Sequence, residues 1–352
     1  MDRNYLTLAL FTTLLVLIHL LYQHGPCRRW SFKAITYPWA VNPQTTELSY
    51  SSTKSLSHIH EERRKRNRTQ IEFYVSAKYV PGHEMTHSEL CPQLGAKVLV
   101  MIIVFSAPEN IVARQAIRIS WGSIAKEDIK LAFILGQSKP SLRETIYKED
   151  EKHGDIIIGN FIDSYENLTL KSVSMLEWVS NYCPRARFLL KTDDDVFTNV
   201  ALLRQFAKQR INTTLSIWGR LYGKSSPVRS KKDKFYISLQ AYPGRKFPNF
   251  VAGPAYLLSR DSIPLLLHEA LSQRFLYLED VFITGMLSAR VGIRRLHSRR
   301  FDMYGHSLPA VCKLRQLISY HEIRPSEQVQ LWWRLHNPEY KCDNRGWSDY
   351  DE

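Results

Sequence analysis

From residue 97 onward the chain alternates short apolar runs with amphipathic stretches. "KVLVMIIVF" (97–105), "IKLAFILG" (129–136), "DIIIGNF" (155–161) and "RFLL" (187–190) are rich in aliphatic and β-branched residues. Runs of that length and kind predict buried strands. Between them lie the helix-like "NIVARQAIRISWG", the polar "SLRETIYKEDEKHG" closed by Gly154, and "LTLKSVSMLEWVSNYC". Strands alternating with helices predict an α/β fold with a mostly parallel sheet. The second half is less regular. It holds an expected strand around "SIWGRLYG", a basic loop, a strand at "FVAGPAYLLS" (250–259) and a helix at "SIPLLLHEALSQ" with Pro264 in its first turn. "FLYLED" (275–280) then leads into a helix-like "VFITGMLSARVG".

The first part of the chain has a different texture. Residues 5–22, "YLTLALFTTLLVLIHLLY", contain no Asp, Glu, Lys or Arg. Eighteen helical residues reach about 27 Å, close to the hydrocarbon thickness of a thin bilayer. A cleaved signal peptide is the alternative, but no small-x-small site follows the run. The expectation is an uncleaved signal anchor over 5–22, a short tail at 1–4, and a solvated stem over 23–94. "RRKR" (63–66) reads as a charge run of that stem, or more sharply as a dibasic processing site. Sequons at Asn67, Asn167 and Asn212 fit a lumenal chain. Cys27 abuts the span, leaving Cys91, Cys183, Cys312 and Cys342 as an even set. Four cysteines allow three pairings, and spacing does not choose among them.

Charge adds one contrast. The chain carries 48 Lys and Arg against 34 Asp and Glu, a net charge of +14, which points to anionic partners. A lumenal address excludes nucleic acid, leaving phosphate-bearing small molecules. Yet "FLLKTDDDVFTN" sets Asp193, Asp194 and Asp195 together at the carboxyl end of a predicted strand, where ligands of parallel sheets bind. One of the three could cap the following helix. Three together suit a hard divalent cation bound through oxygen. On extended backbone Asp193 and Asp195 would share one side, with Asp194 on the other. "LEDVFITG" supplies a second acidic point. Asp280 is either a helix cap or a general base, and Glu279 beside it could raise its proton affinity by like-charge repulsion. No GxGxxG follows the first strand, so the common dinucleotide fingerprint is missing.

"RQAIRISWG" (114–122), "FILG" (133–136), "DSYENLTLK" (163–171), "FLLKTDDDVFTN", "WG" (218–219), "FPNFVAGPAYLLS" (247–259), "LEDVFITG" and "CKLRQLISYHEIRPSEQVQLWW" (312–333) occur in that order. Together they resemble the inverting β1,3-glycosyltransferases of the β1,3-galactosyltransferase family. The resemblance covers about residues 95–342. It implies a GT-A glycosyltransferase fold over 95–352, in a single-pass type II Golgi membrane enzyme anchored through 5–22. It also implies a UDP-sugar donor, galactose first among the candidates, a glycan acceptor on glycoprotein or glycolipid, and Mn²⁺. By the same resemblance Asp195 and His321 are metal ligands, Asp193 and Asp194 contact the nucleotide-sugar or the metal's water shell, and Asp280 is the base. On residue type alone, His321 would be a surface or core histidine.

Arg114 and Arg118 are nucleotide-site candidates, with a structural role for their helix as the rival. Trp218, Tyr242, Gly253 and Tyr256 are candidates for the sugar sites, with core packing the rival for each aromatic. Cys91 is not placed by the resemblance. The acceptor contacts of the loop after Trp218 are unassigned, and a homodimer is left open. Two rival functions suit parts of the same sequence: a metal-dependent phosphohydrolase, and a non-catalytic membrane-tethered glycan-binding or chaperone relative with the same fold.

Overall fold

Strand β2 (Val100–Phe105) is buried at every residue, as a strand covered on both faces must be. In the computed structural model, which describes residues 73–124, 128–303, 308–340 and 342, β2 lies in an eight-stranded sheet. The other members are β1 (His83–Met85), β3 (Ile129–Gln137), β4 (Ile156–Ile162), β5 (Phe188–Asp193), β7 (Ser216–Tyr222), β8 (Phe250–Ser259) and β9 (Arg294–His297). Their order is β1-β4-β3-β2-β5-β8-β7-β9. β4, β3, β2 and β5 run parallel, β8 runs against β5 and β7, and β1 runs against β4. This is the mostly parallel α/β sheet that the alternating pattern predicts. A smaller sheet joins β6 (Phe197–Thr198), β10 (Phe301–Asp302) and β11 (Ser319–Tyr320).

Alternation along β2 divides the core. Met101, Ile103 and Phe105 face one apolar layer, and Val100, Ile102 and Val104 face the other. Helices α1 (Ile111–Ile119), α2 (Pro140–His153), α4 (Val200–Gln209) and α6 (Pro325–His336) pack into the second layer through Ile117, Ile146, Leu203 and Leu331. Helices α3 (Leu168–Tyr182) and α5 (Ser262–Ser272) cover the first, joined by a π-helical stretch at Val281–Leu287. The expected α-helix after Asp280 is therefore wound as π-helix before one short α-turn at Ser288–Arg290. Helix α2 ends as its sequence predicts. Gly154 takes φ +59 and its N–H returns to the Asp150 carbonyl, a left-handed stop that favours glycine.

The stem boundary expected at 94 is too late. Val75 is fully buried, β1 adds to the sheet edge, and Cys91 is disulfide-bonded to Cys183. The second bridge is Cys312–Cys342, which settles the pairing that spacing left open. The segment behind Cys91 is strained, with Gln93 at φ 54 and Leu94 at φ 58, a conformation costing about 1–2 kcal/mol per residue outside glycine. The Cys91–Cys183 bridge, closing a separation of 92 residues, holds that turn in place. Cys91→Ser is expected to cost roughly 3 kcal/mol and lower Tm by roughly 6–12 °C. A melting temperature unchanged in oxidising buffer would remove the bridge from the account. The expected span 5–22, "RRKR" and Asn67 lie outside the described residues. Among the described residues no helix is long and apolar enough to cross a membrane.

Candidate active site

The three aspartates do not continue the strand. β5 stops at Asp193, and Asp194 and Asp195 form a turn in which Val196 N–H reaches back to the Asp193 carbonyl at 3.3 Å. The strict alternation expected for extended backbone is therefore lost, although Asp194 does point its own way. Its Oδ2 accepts from Ser106 Oγ (2.7 Å) and Asn110 Nδ2 (2.9 Å). None of the three caps α4. That role belongs to Asn199, whose side chain accepts from Leu202 N–H at 3.1 Å, so the carboxylates are left for another purpose.

Asp195 faces His321, with Oδ2 and Nε2 3.4 Å apart. The small sheet makes this meeting. β11 pairs antiparallel with β6, and Ile323 N–H donates to the Asp195 carbonyl at 2.8 Å, so the chain bracketing His321 is laid against the aspartate turn. His321 Nδ1 faces the Met303 carbonyl at 3.4 Å. A carbonyl can only accept, so in that bond Nδ1 carries the hydrogen, which leaves Nε2 as the nitrogen able to give up its proton and offer a lone pair to a cation. Asp195 is 49% exposed at its side chain. One carboxylate oxygen and one imidazole nitrogen at an open edge make a two-ligand half-shell for a divalent cation. Without a cation, burial works against protonation of His321, but Asp195 and Asp193 outweigh it and hold the imidazolium up.

Asp280 is held on β8, the strand that neighbours β5 in the sheet. Its Oδ1 accepts from Val281 N–H at 2.8 Å and its Oδ2 from Gly253 N–H at 3.2 Å. It caps the π-helix and is presented by it at once. Thr284 supports the arrangement: its hydroxyl takes the Val251 N–H and lies 2.7 Å from the Asp280 carbonyl. The "DVFITG" spacing thereby ties the π-helix to the start of β8. Burial holds the Asp280 carboxyl above the usual aspartate range, against the backbone donors and Lys191.

Glu279 plays a different part from the one expected of it. It turns inward and accepts from Ser172 Oγ (2.8 Å) and Tyr256 OH (2.5 Å). Burial, with Asp280's charge behind it, pushes Glu279 up to about 7. The lift on Asp280 comes from burial rather than from Glu279.

Lys191 links the two halves and escaped the sequence reading. Its side chain is 3% exposed, and its Nζ lies 2.5 Å from Asp193 Oδ1 and 2.6 Å from the Gly253 carbonyl. Burial works against the ammonium, and Asp193 and Glu279 more than offset it. Asp193 is itself pushed up to about 6, burial outweighing the pull of Lys191. One buried cation thus touches the aspartate turn and the peptide that holds Asp280.

Other candidates belong to the frame. Arg114 is 0% exposed and spends all five donors on Glu149, Ser106 and the Ala107 and Pro108 carbonyls, so it has none for a nucleotide. Arg118 is engaged by Glu149 and Asp155. Both arginines take the structural alternative: Arg114 holds the loop whose Ser106 supports Asp194, and Arg118 shares its Glu149 partner. Trp121 of the same motif donates to Gln328, whose amide reaches the Asp194 carbonyl at 3.3 Å. Trp218 packs edge-on against Phe188 and Phe206 in the core. Tyr256 is buried on Glu279. Tyr242 is half-buried, its hydroxyl closing a turn onto the Lys246 carbonyl. Gly253 does reach the site, through both its N–H and its carbonyl. Of the sequons, Asn212 is exposed, whereas Asn167 donates to the Ile162 carbonyl and its Thr169 is buried on Leu276.

Comparison with known proteins identifies the family. The family model described as Galactosyltransferase matches residues 112–299. The chain is 34% identical over 245 residues to Beta-1,3-galactosyltransferase 5 of Homo sapiens, covering 68% of this chain and 78% of that one. It is 32% identical over 244 residues to the Mus musculus protein of that name, covering 68% and 79%. Beta-1,3-galactosyltransferase 1 of Mus musculus is 32% identical over 238 residues, covering 66% and 72%. With Asp195, Asp280 and their supports all inside or beside the matched segment, the chain belongs to the galactosyltransferase family.

Proposed function

We propose that the chain is an inverting β1,3-galactosyltransferase of GT-A type that moves galactose from UDP-galactose to a hydroxyl of a glycan acceptor. The observation that carries the reading is the pairing of an open Asp195–His321 edge with a backbone-held Asp280, joined through Lys191. Asp280, lifted by burial and aimed by two N–H donors, takes the proton from the acceptor hydroxyl. That oxygen attacks the anomeric carbon as the bond to UDP breaks on the opposite face. A single displacement inverts the centre and needs one base, unlike a glycosidase with its two carboxyl groups.

Asp195 and His321 fit a divalent cation as an oxygen and nitrogen pair. Among the described residues no set of three or more such ligands converges, so the remaining positions would fall to diphosphate oxygens and water, as in other nucleotide sites. Bound Mn²⁺ supplies Lewis-acid stabilisation of the negative charge on the departing diphosphate. Asp193, steadied by Lys191, and Asp194, steadied by Ser106 and Asn110, shape the turn on which that group would rest. Both bridges and the exposed Asn212 sequon support an oxidising, lumenal address in the Golgi, with 5–22 as the anchor. Family membership and the bonded Asp280 favour an enzyme over a non-catalytic relative, and sugar transfer over phosphate-ester hydrolysis.

The test is to offer full-length protein in detergent each common UDP-sugar and a panel of methyl β-glycosides. Product linkage and UDP release are recorded. Chelation is expected to lower transfer at least ~100-fold, with Mn²⁺ restoring it. Transfer untouched by chelator would overturn the metal assignment. Transfer from a donor other than UDP-galactose would correct the sugar.

A further inference from the structure

The first turn of α3 is laid along the segment that ends in Asp280. Thr169 Oγ1 donates to the Leu276 carbonyl at 2.6 Å, and Ser172 Oγ donates to Glu279 at 2.8 Å. These two buried bonds fix the short turn before α3 beside residues 276–279. Tyr165, on that turn, consequently meets Tyr277, with ring centroids 6.3 Å apart and planes tilted 59°. Tyr277 stands three residues before Asp280, and its hydroxyl donates to the Lys234 carbonyl at 2.9 Å. The turn is held from its other end too. Asp163 pairs with buried Lys171 at 2.8 Å, and Lys171 donates to the Ser106 carbonyl. Tyr277 and the turn that carries Tyr165 are thus fastened, yet Tyr165 itself is 49% exposed. Exposure alone is ordinary for a surface aromatic; what sets Tyr165 apart is its contact with Tyr277, on the segment that ends in Asp280.

We propose that Tyr165, braced by Tyr277, is the platform on which the acceptor's sugar ring stacks while its hydroxyl meets Asp280. A β-linked pyranose offers one face of C–H groups to an aromatic ring and keeps its hydroxyls at the rim, which suits a residue with an apolar face and a polar tip. The acceptor side is favoured over the donor side by position. Tyr277 shares its segment with Asp280, while the aspartate turn belongs to β5. The charges agree: the Tyr165 phenol is pushed up to about 12, by partial burial first and then by Asp280, with Asp193 contributing less. The assignment rests on the reading of Asp280 as the base.

Three variants of the full-length protein, Tyr165→Ala, Tyr165→Phe and Tyr165→Trp, test it with methyl β-glycosides as acceptors. Methyl glycosides are chosen so that no aromatic aglycone can stack in place of the sugar. Tyr165→Ala is expected to raise acceptor KM about tenfold or more, with donor KM and slow donor hydrolysis by water unchanged. Phe and Trp should stay within about threefold of wild type, because the ring and not the hydroxyl is required. An acceptor KM within about twofold of wild type in Tyr165→Ala, or an equal rise in donor KM, overturns the platform. So does a Phe variant as poor as Ala. Saturation-transfer NMR of the same glycosides with UDP present reads binding without turnover. If wild type shows no transfer, the base reading fails, while a glycoside signal lost only in Tyr165→Ala would still mark the platform. Equal glycoside signals in both proteins would remove it.

Discussion

Asp280→Asn is expected to lower kcat about 10³-fold while leaving UDP affinity within about twofold of wild type. The amide is nearly isosteric but cannot take a proton from the acceptor hydroxyl at neutral pH. Its oxygen can still accept from Val281 N–H or Gly253 N–H, although its nitrogen cannot serve the other. One lost backbone bond costs about 1 kcal/mol, so Tm should fall by only a few degrees and the protein should remain folded. The acid limb of kcat/KM carries the same information. With Asp280 as the proposed base, transfer requires it deprotonated, and burial holds its carboxyl above the ordinary value. Activity is therefore present above that raised value and lost as pH falls through it. Asp280→Asn retaining wild-type turnover would assign the base elsewhere.

Lys191→Met should act on stability and catalysis together. Burying a methyl in place of the ammonium leaves Asp193 without its partner and the Gly253 carbonyl without its donor. Breaking one partner out of a buried ion pair costs roughly 3–5 kcal/mol, enough to lower Tm by roughly 6–20 °C in a domain of this size. The same cation holds down the carboxyls of Asp193, Glu279 and Asp280. Its loss raises all three, so the acid limb of kcat/KM should move to higher pH. A fall in Tm with an unmoved limb would make Lys191 a packing residue only. An unchanged Tm and kcat would show that the charge is unnecessary to both.

Much of the sheet was legible because its strands are buried on both faces. The run predicted at 250–259 coincides with β8, and 129–136 with all but the last residue of β3. Such strands announce themselves by continuous apolar composition. The short strands β1, β6, β10 and β11 carry too few residues to show any period. Lys191 was passed over because a lysine inside an apolar run looks like an interruption. Its meaning comes from Gly253, sixty-two positions away. Arg114 illustrates the reverse error. Two arginines on one helix suggest phosphate, and only the fold reveals that Glu149 and Asp155 reach them first. Family likeness singled out His321, which its residue type alone does not, and the fold brings it within 3.4 Å of Asp195.

The loop between β7 and β8 is fastened largely through its own backbone. Arg229 donates to the carbonyls of Ile237, Tyr242 and Gly244. Every residue type supplies a carbonyl, so the clasp is indifferent to which side chains the loop carries. Lys231, Lys232, Lys234 and Phe235 are exposed on it and can be exchanged without loosening the clasp. The strand-end carboxylates have no such freedom, because each is held by a particular side chain or peptide group. Substitutions among those exposed side chains should therefore leave the path of the loop unchanged.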